Sequence, residues 1–189
     1  LAALAAGWRY ARGQAVLWAV LCGVAVGMMH ATKETWVLAA AAAGWGGVLA
    51  LAWTRWREGT WLIQRTDWRP WALLGFLAAA CFNVELYSSF GHNPRGPLDS
   101  ILAYGVYVRR GSETGIHSHP WYYYLELLLA FRPAKGFFWS EGLIAGLAVV
   151  GMLAGLGRNA LPEPQRYFCR FLTFYTLTLT ALYAAISYK

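Results

Sequence analysis

The chain predicts an all-α fold: a polytopic transmembrane helix bundle of about six spans, with one long external loop that carries a short amphipathic helix. Three observations predict it. Hydrophobic residues make up 58% of the 189 and charged residues 13%, about half the roughly 25% charged share of an ordinary globular domain. Several apolar runs approach or reach the roughly 20 residues that a helix needs to cross a bilayer. Many of the 11 tryptophans and 11 tyrosines flank those runs, as aromatic residues do at headgroup level.

Six spans follow in order. The first covers Gln14 to Met29 and the second Thr35 to Thr54, with only His30 to Glu34 between them. The third runs from Pro70 to Ser88; proline is well suited to a first helical position, where its missing N–H is no loss. The fourth, Pro120 to Phe131, is short for a crossing. The fifth covers Phe137 to Leu156 and the sixth Tyr167 to Tyr188. Small residues crowd Ala39 to Gly47 and recur in the fifth span as Gly142, Gly146, Gly151, Gly155 and Gly157; such faces let helix backbones approach in lipid. Residues 1–189 read as one transmembrane segment of a larger membrane domain, because the chain opens in apolar sequence at Leu1 and closes at Lys189 just after another apolar run.

Orientation comes from counting Lys and Arg in alternate loops. Nine (Arg9, Arg12, Arg55, Arg57, Arg65, Arg69, Arg132, Lys135, Lys189) stand against six (Lys33, Arg95, Arg109, Arg110, Arg158, Arg166). The count puts the Phe90 to His119 loop outside the cytoplasmic membrane of a prokaryote; if the short fourth helix does not cross, everything after it inverts. The net charge of +7 sits in short loops between spans, which suits anionic lipids rather than nucleic acid. Cys22, Cys81 and Cys169 are far apart in apolar runs and form neither a disulfide framework nor a C-x-x-C pair. Phosphate-loop, dinucleotide and nucleophile-elbow fingerprints are absent, which excludes the soluble folds they mark.

Chemistry-bearing residues lie at the ends of the apolar runs. Lys33 and Glu34 have almost no loop to solvate them, and ionisable groups near a span are costly unless they reach headgroups or face a polar cavity. The stretch Gly115 to Leu125 holds His117, His119, the helix-starting Pro120 and four consecutive aromatics. Tyr122 and Tyr123 lie four and three residues before Glu126, on its helix face. In the long loop, Pro97 and Asp99 open a helix whose apolar stripe is Leu98, Ile101, Leu102, Gly105 and Val106. Arg109 and Arg110 close it before Gly111, and guanidinium matches phosphate geometry. His117 and His119 suit proton transfer or hydrogen bonding. No cofactor is identified; a divalent metal would need His92, Asp99 or Glu113 to complete the pair, since two histidines fall short of a site. Helix capping or headgroup solvation is the plainer reading of each of these residues.

The strings Met28-Met29-His30-Ala31-Thr32-Lys33-Glu34-Thr35 and His117-Ser118-His119-Pro120-Trp121-Tyr122-Tyr123-Tyr124-Leu125, with Glu126 to Glu141 after them, resemble a family of multi-spanning bacterial and archaeal proteins. That family is similar to the GT-C glycosyltransferase superfamily and is sometimes labelled flippase-associated. The resemblance runs from the first span through the fifth. It implies a helical GT-C core working on polyprenyl-phosphate-linked sugars at the non-cytoplasmic face. It also implies that an acidic motif in a first external loop supplies the catalytic base. No match to that motif is present here, so no catalytic residue is assigned; the motif would lie upstream of Leu1. Lys33, Glu34, Arg109, Arg110, His117, His119, Tyr122, Tyr123 and Glu126 are the expected substrate-binding residues. The alternative is a non-catalytic membrane subunit that assists export or assembly of lipid-linked oligosaccharide.

Overall fold

The computed structural model describes residues 1–33, 35–59, 69–111, 119–130, 136, 140–158 and 160–186, and the backbone alone of 69, 70, 107, 108, 110 and 111. The described residues are all-helical. They form α1 (Ala2–Gly13), α2 (Val16–Thr32), α3 (Trp36–Glu58), α4 (Arg69–Tyr87), α5 (Gly96–Leu102), α6 (Tyr104–Gly111), α7 (Tyr123–Ala130), α8 (Gly142–Leu156) and α9 (Glu163–Ala185). Two of them, α3 and α9, are long and apolar enough to cross a membrane. The chain divides into two compact units: residues 1–37 with 63–109, and residues 38–62 with 110–189.

The first unit is built on close backbone contact. Helices α1 and α2 form a hairpin whose turn needs Gln14 in the left-handed region, its N–H returning to Tyr10 O at 2.7 Å. On α2, Ala19, Gly23 and Gly27 recur every four residues and are buried, one stripe of a helix with 3.6 residues per turn. They meet Gly75 and Ala79 of α4. A Cβ on Gly23 would stand 1.9 Å from Gly75 O, and one on Gly75 would stand 2.8 Å from Ala19 O. No side chain fits either place, so the two backbones are held at a separation only small residues allow. After α4 the chain turns sharply through Ser89, Phe90 and Gly91, all at positive φ. The turn brings Gly96 so close to Tyr87 O that a Cβ would lie 1.8 Å away. Helix α5 is thereby fixed against the end of α4, and α6 follows it.

The second unit repeats the device. Ala42, Gly46, Ala50 and Thr54 of α3 are buried at four-residue intervals, and a Cβ on Gly46 would stand 2.7 Å from Tyr175 N of α9. On α8, Gly155 meets Cys169 of α9, where a Cβ would stand 2.8 Å from its Cβ. Outside these contacts the surface is apolar: Leu143 is 78% exposed and Leu153 66%, with Ile144, Leu147 and Val150 beside them. Among the described residues the buried hydrophobics are all alanine, while the largest fully buried side chains are Arg170 and Thr54. Water-soluble proteins bury the opposite set.

Two expectations change. His30 is not in the connection between the first two spans; it belongs to α2, which runs on to Thr32. The amphipathic helix of the long loop is two helices, α5 and α6, broken at Ala103; its stripe residues Leu98, Ile101, Leu102 and Val106 are exposed. In the second unit Trp53 Nε1 of α3 donates to Leu156 O at 3.2 Å, so α3 and α8 end together, and α9 starts there. Tyr124 of α7 packs edge-on against Tyr183 at 5.8 Å, about 20 Å along α9 from Arg170.

Candidate functional site: a histidine enclosed by aromatic rings

The small-residue stripes of α2 and α4 each continue one step further, and there they become polar. Ala19, Gly23 and Gly27 lead to His30; Gly75 and Ala79 lead to Asn83 and then Tyr87. The backbone contact that closes the helices on each other therefore delivers these side chains to one place. His30 Nδ1 and Asn83 Oδ1 are 2.7 Å apart. Asn83 Nδ2 donates to Ala79 O at 2.8 Å, which fixes the amide with its oxygen towards the ring. An oxygen can only accept, so Nδ1 carries the proton and, in the neutral ring, Nε2 keeps a bare lone pair. Tyr87 donates its hydroxyl to His30 O at 2.9 Å, and so holds the backbone of the same residue.

Aromatic rings enclose the imidazole. Trp36 lies 4.9 Å from it, Tyr87 5.1 Å, and Tyr104 6.0 Å in a stacked arrangement. Trp36 comes from the first turn of α3 and Tyr104 from the first turn of α6, and Trp36 Nε1 donates to the Tyr104 hydroxyl. Within this enclosure Nε2 is buried and has no hydrogen-bond partner among the described residues. A buried unsatisfied acceptor destabilises a fold by roughly 1–3 kcal/mol.

A second polar cluster lies in the second unit; there the two buried atoms without an aligned hydrogen bond, Glu58 Oε1 and Arg166 Nε, each have an ionic partner. Arg170 is fully buried. It donates through Nε to Gly155 O (3.0 Å), through Nη1 to Thr54 Oγ1 (3.0 Å) and through Nη2 to Gly157 O (3.1 Å), and Nη2 pairs with Glu58 Oε1 at 2.8 Å. Arg166 Nε pairs with Glu58 Oε1 at 3.0 Å, an ionic contact rather than an aligned hydrogen bond, and its Nη1 donates to Arg158 O at 2.6 Å. Tyr167 donates to Glu58 Oε2 at 3.2 Å. Two guanidinium groups thus face the Glu58 carboxylate and the C-terminal ends of α3 and α8, and Glu163, exposed, lies 3.8 Å from Arg166 Nη2. Both positive charges are answered, and the cluster is a structural lock rather than an anion site.

The residues expected from sequence are spread over both units. Lys33 caps α2 and is exposed, its N–H returning to Met29 O at 3.2 Å. Arg109 is exposed on α6. Both belong to the first unit, whereas His119, Tyr122, Tyr123 and Glu126 belong to the second. His119 stacks on Tyr123 at 4.0 Å; Tyr122 and Glu126 are exposed. Glu34, His117 and the side chain of Arg110 lie outside the described residues. Among the described residues no group of three or more His, Cys, Asp or Glu is placed to hold a metal. Sequence reasoning passed over His30, Trp36, Tyr87 and Tyr104. The signal was present in the stripes, which run at three- and four-residue spacing into His30 and Asn83.

No protein-family model, curated protein or solved structure matches this chain.

Proposed function

We propose that the chain is an integral membrane protein, part of a GT-C-like glycosyltransferase that uses a polyprenyl-phosphate-linked sugar donor on the non-cytoplasmic face. The observation that carries this reading is where the family resemblance falls. Met28 to Thr35, the more specific of the resembling strings, holds His30 and adjoins Trp36, so it coincides with the polar network of the first unit. A carrier with an isoprenoid tail and a hydrophilic head needs polar groups at the end of apolar helices, and His30 occupies such an end.

The membrane reading is supported by packing. Helices α3 and α9 are mostly exposed along their apolar windows, unlike the core helix of a soluble protein. Small and polar residues are inside and large apolar ones outside, the arrangement lipid favours. With α3 and α8 ending together, crossings counted along the chain regroup the charges. With Arg166 buried against Glu58, seven (Arg9, Arg12, Arg55, Arg57, Arg65, Arg69, Arg158) stand against seven (Lys33, Arg95, Arg109, Arg110, Arg132, Lys135, Lys189). That balance selects no orientation, so the external placement of the long loop rests on the resemblance.

The test is to reconstitute the purified chain in lipid nanodiscs with a radiolabelled polyprenyl-phosphate sugar, and to measure retained carrier and transferred sugar separately. Retention with transfer to an acceptor supports the reading. Retention without transfer identifies a non-catalytic subunit for lipid-linked oligosaccharides. No retention of the carrier refutes both.

A further inference from the structure

We propose that His30 Nε2 is the acceptor for a hydroxyl of the carrier's sugar ring, in a site that the Trp36–Tyr104 hydrogen bond holds shut; this rests on the lipid-linked sugar reading above. Everything around His30 is arranged to leave one lone pair. Asn83 Oδ1 accepts the hydrogen bond from Nδ1–H, and Ala79 O fixes the amide that accepts it. Tyr87 holds the backbone carbonyl. Of the imidazole's two nitrogens Nε2 is left buried without a partner among the described residues, where most buried polar atoms have one.

The surroundings select the ligand. A metal would need further ligands, and none are grouped among the described residues. A bulky cation would need the space between the aromatic rings, which the imidazole already fills at 4.9, 5.1 and 6.0 Å. An acyl chain offers no donor. A hydroxyl requires only the lone pair, and the rings beside it suit the C–H face of a cyclic polyol, in the usual pattern of apolar walls with a few placed polar groups.

Access depends on Trp36. It stands at the start of α3, three residues beyond the extended cap residue Lys33, outside the contact that Gly23 and Gly27 make with α4. Once it swings, Trp36 Nε1–H and the Tyr104 hydroxyl lose each other. A ligand with several hydroxyls can replace that bond and supply the donor to Nε2 together. A single hydroxyl can donate to Nε2 and accept from Trp36 Nε1–H, and a ring with several can engage the Tyr104 hydroxyl as well.

The experiment compares binding of bare polyprenyl phosphate with polyprenyl phosphate bearing glucose, mannose, galactose or N-acetylglucosamine. It uses the nanodisc-embedded chain and the double variant His30→Phe with Asn83→Leu, which removes the lone pair and its support together. For at least one sugar, the unaltered chain should bind the glycosylated carrier about tenfold more tightly than the bare one, the order expected for one or two hydrogen bonds. In the variant that ratio should fall to about one, with thermal stability equal or higher. A ratio unchanged in the variant overturns the proposal, as does equal binding of all five carriers by the unaltered chain; both outcomes leave the carrier reading standing. Failure of the unaltered chain to bind any of the five sinks that reading, and this proposal with it. If the variant loses thermal stability, the histidine is a packing residue and the proposal is wrong.

Discussion

Replacing Arg170 with methionine tests the lock of the second unit. Methionine keeps the apolar stem and removes the guanidinium, leaving Gly155 O, Gly157 O and Thr54 Oγ1 without their donor and Glu58 without its 2.8 Å partner. Breaking a buried ion pair from one side destabilises by about 3–5 kcal/mol. Glu58 keeps Arg166 at 3.0 Å and the Tyr167 hydroxyl at 3.2 Å, so the lower end, about 3 kcal/mol, is expected. Lysine should recover little. Its single ammonium cannot reach four acceptors that Nε, Nη1 and Nη2 meet from three directions, and a loss of about 2 kcal/mol should remain. The assay is equilibrium unfolding in mild detergent followed by circular dichroism, with Glu58→Gln completing a double-mutant cycle. Coupling of about 1–3 kcal/mol is expected between the two positions. A methionine variant within about 0.5 kcal/mol of the parent, or a lysine variant equal to it, would refute the account of Arg170 as a forked lock.

Two further predictions concern packing and topology. Gly23→Leu must drive α2 from α4, because even its Cβ would stand 1.9 Å from Gly75 O; thermal stability should fall sharply, whereas Gly44→Ala, which meets nothing within 4 Å, should be neutral or stabilising by up to about 1 kcal/mol. In a chain with Cys22, Cys81 and Cys169 replaced by serine, single cysteines at Arg57 and Arg158 should react with an impermeant thiol reagent from the same side of a sealed vesicle. Labelling from opposite sides would restore the crossing of the fourth span and contradict the shared end of α3 and α8.

The sequence made the helices legible because apolar length is a one-dimensional property. Gln14 to Met29 and Tyr167 to Tyr188 land within a few residues of α2 and α9. It also flagged Ala39 to Gly47 as a packing face, and Ala42 and Gly46 in that run are buried. What it did not deliver was partnership. Nothing local says that α3 meets α9, or that the excess arginines at 166 and 170 answer a glutamate more than a hundred residues earlier. Counting loop charges treated Arg166 as a solvated topology marker, and its burial against Glu58 removes it from that role. His30 was hidden for a related reason: a histidine followed by Ala-Thr-Lys-Glu reads as a polar turn, and only the four-residue stripe behind it shows that α2 continues.

The two polar clusters can be compared on the same physical terms, and the comparison separates their roles. Both lie one step beyond a stripe of small residues, where close helix backbones leave room for side chains larger than alanine. In the second unit the step is filled to completion. Every nitrogen of the Arg170 guanidinium has a partner, and both arginines face carboxylates. Such a cluster gains nothing from a ligand, and admitting one would break contacts already made. In the first unit the step stops one bond short. Two of the four groups around His30 serve to fix its tautomer and backbone, and the acceptor they expose has no partner among the described residues. A cluster selected for stability alone would be improved by an apolar residue at that position, because removing an unsatisfied buried acceptor together with its support is close to neutral or stabilising. The vacancy is what distinguishes a site from a staple, and it places the search for ligand at His30 rather than at the more heavily charged arginine pair.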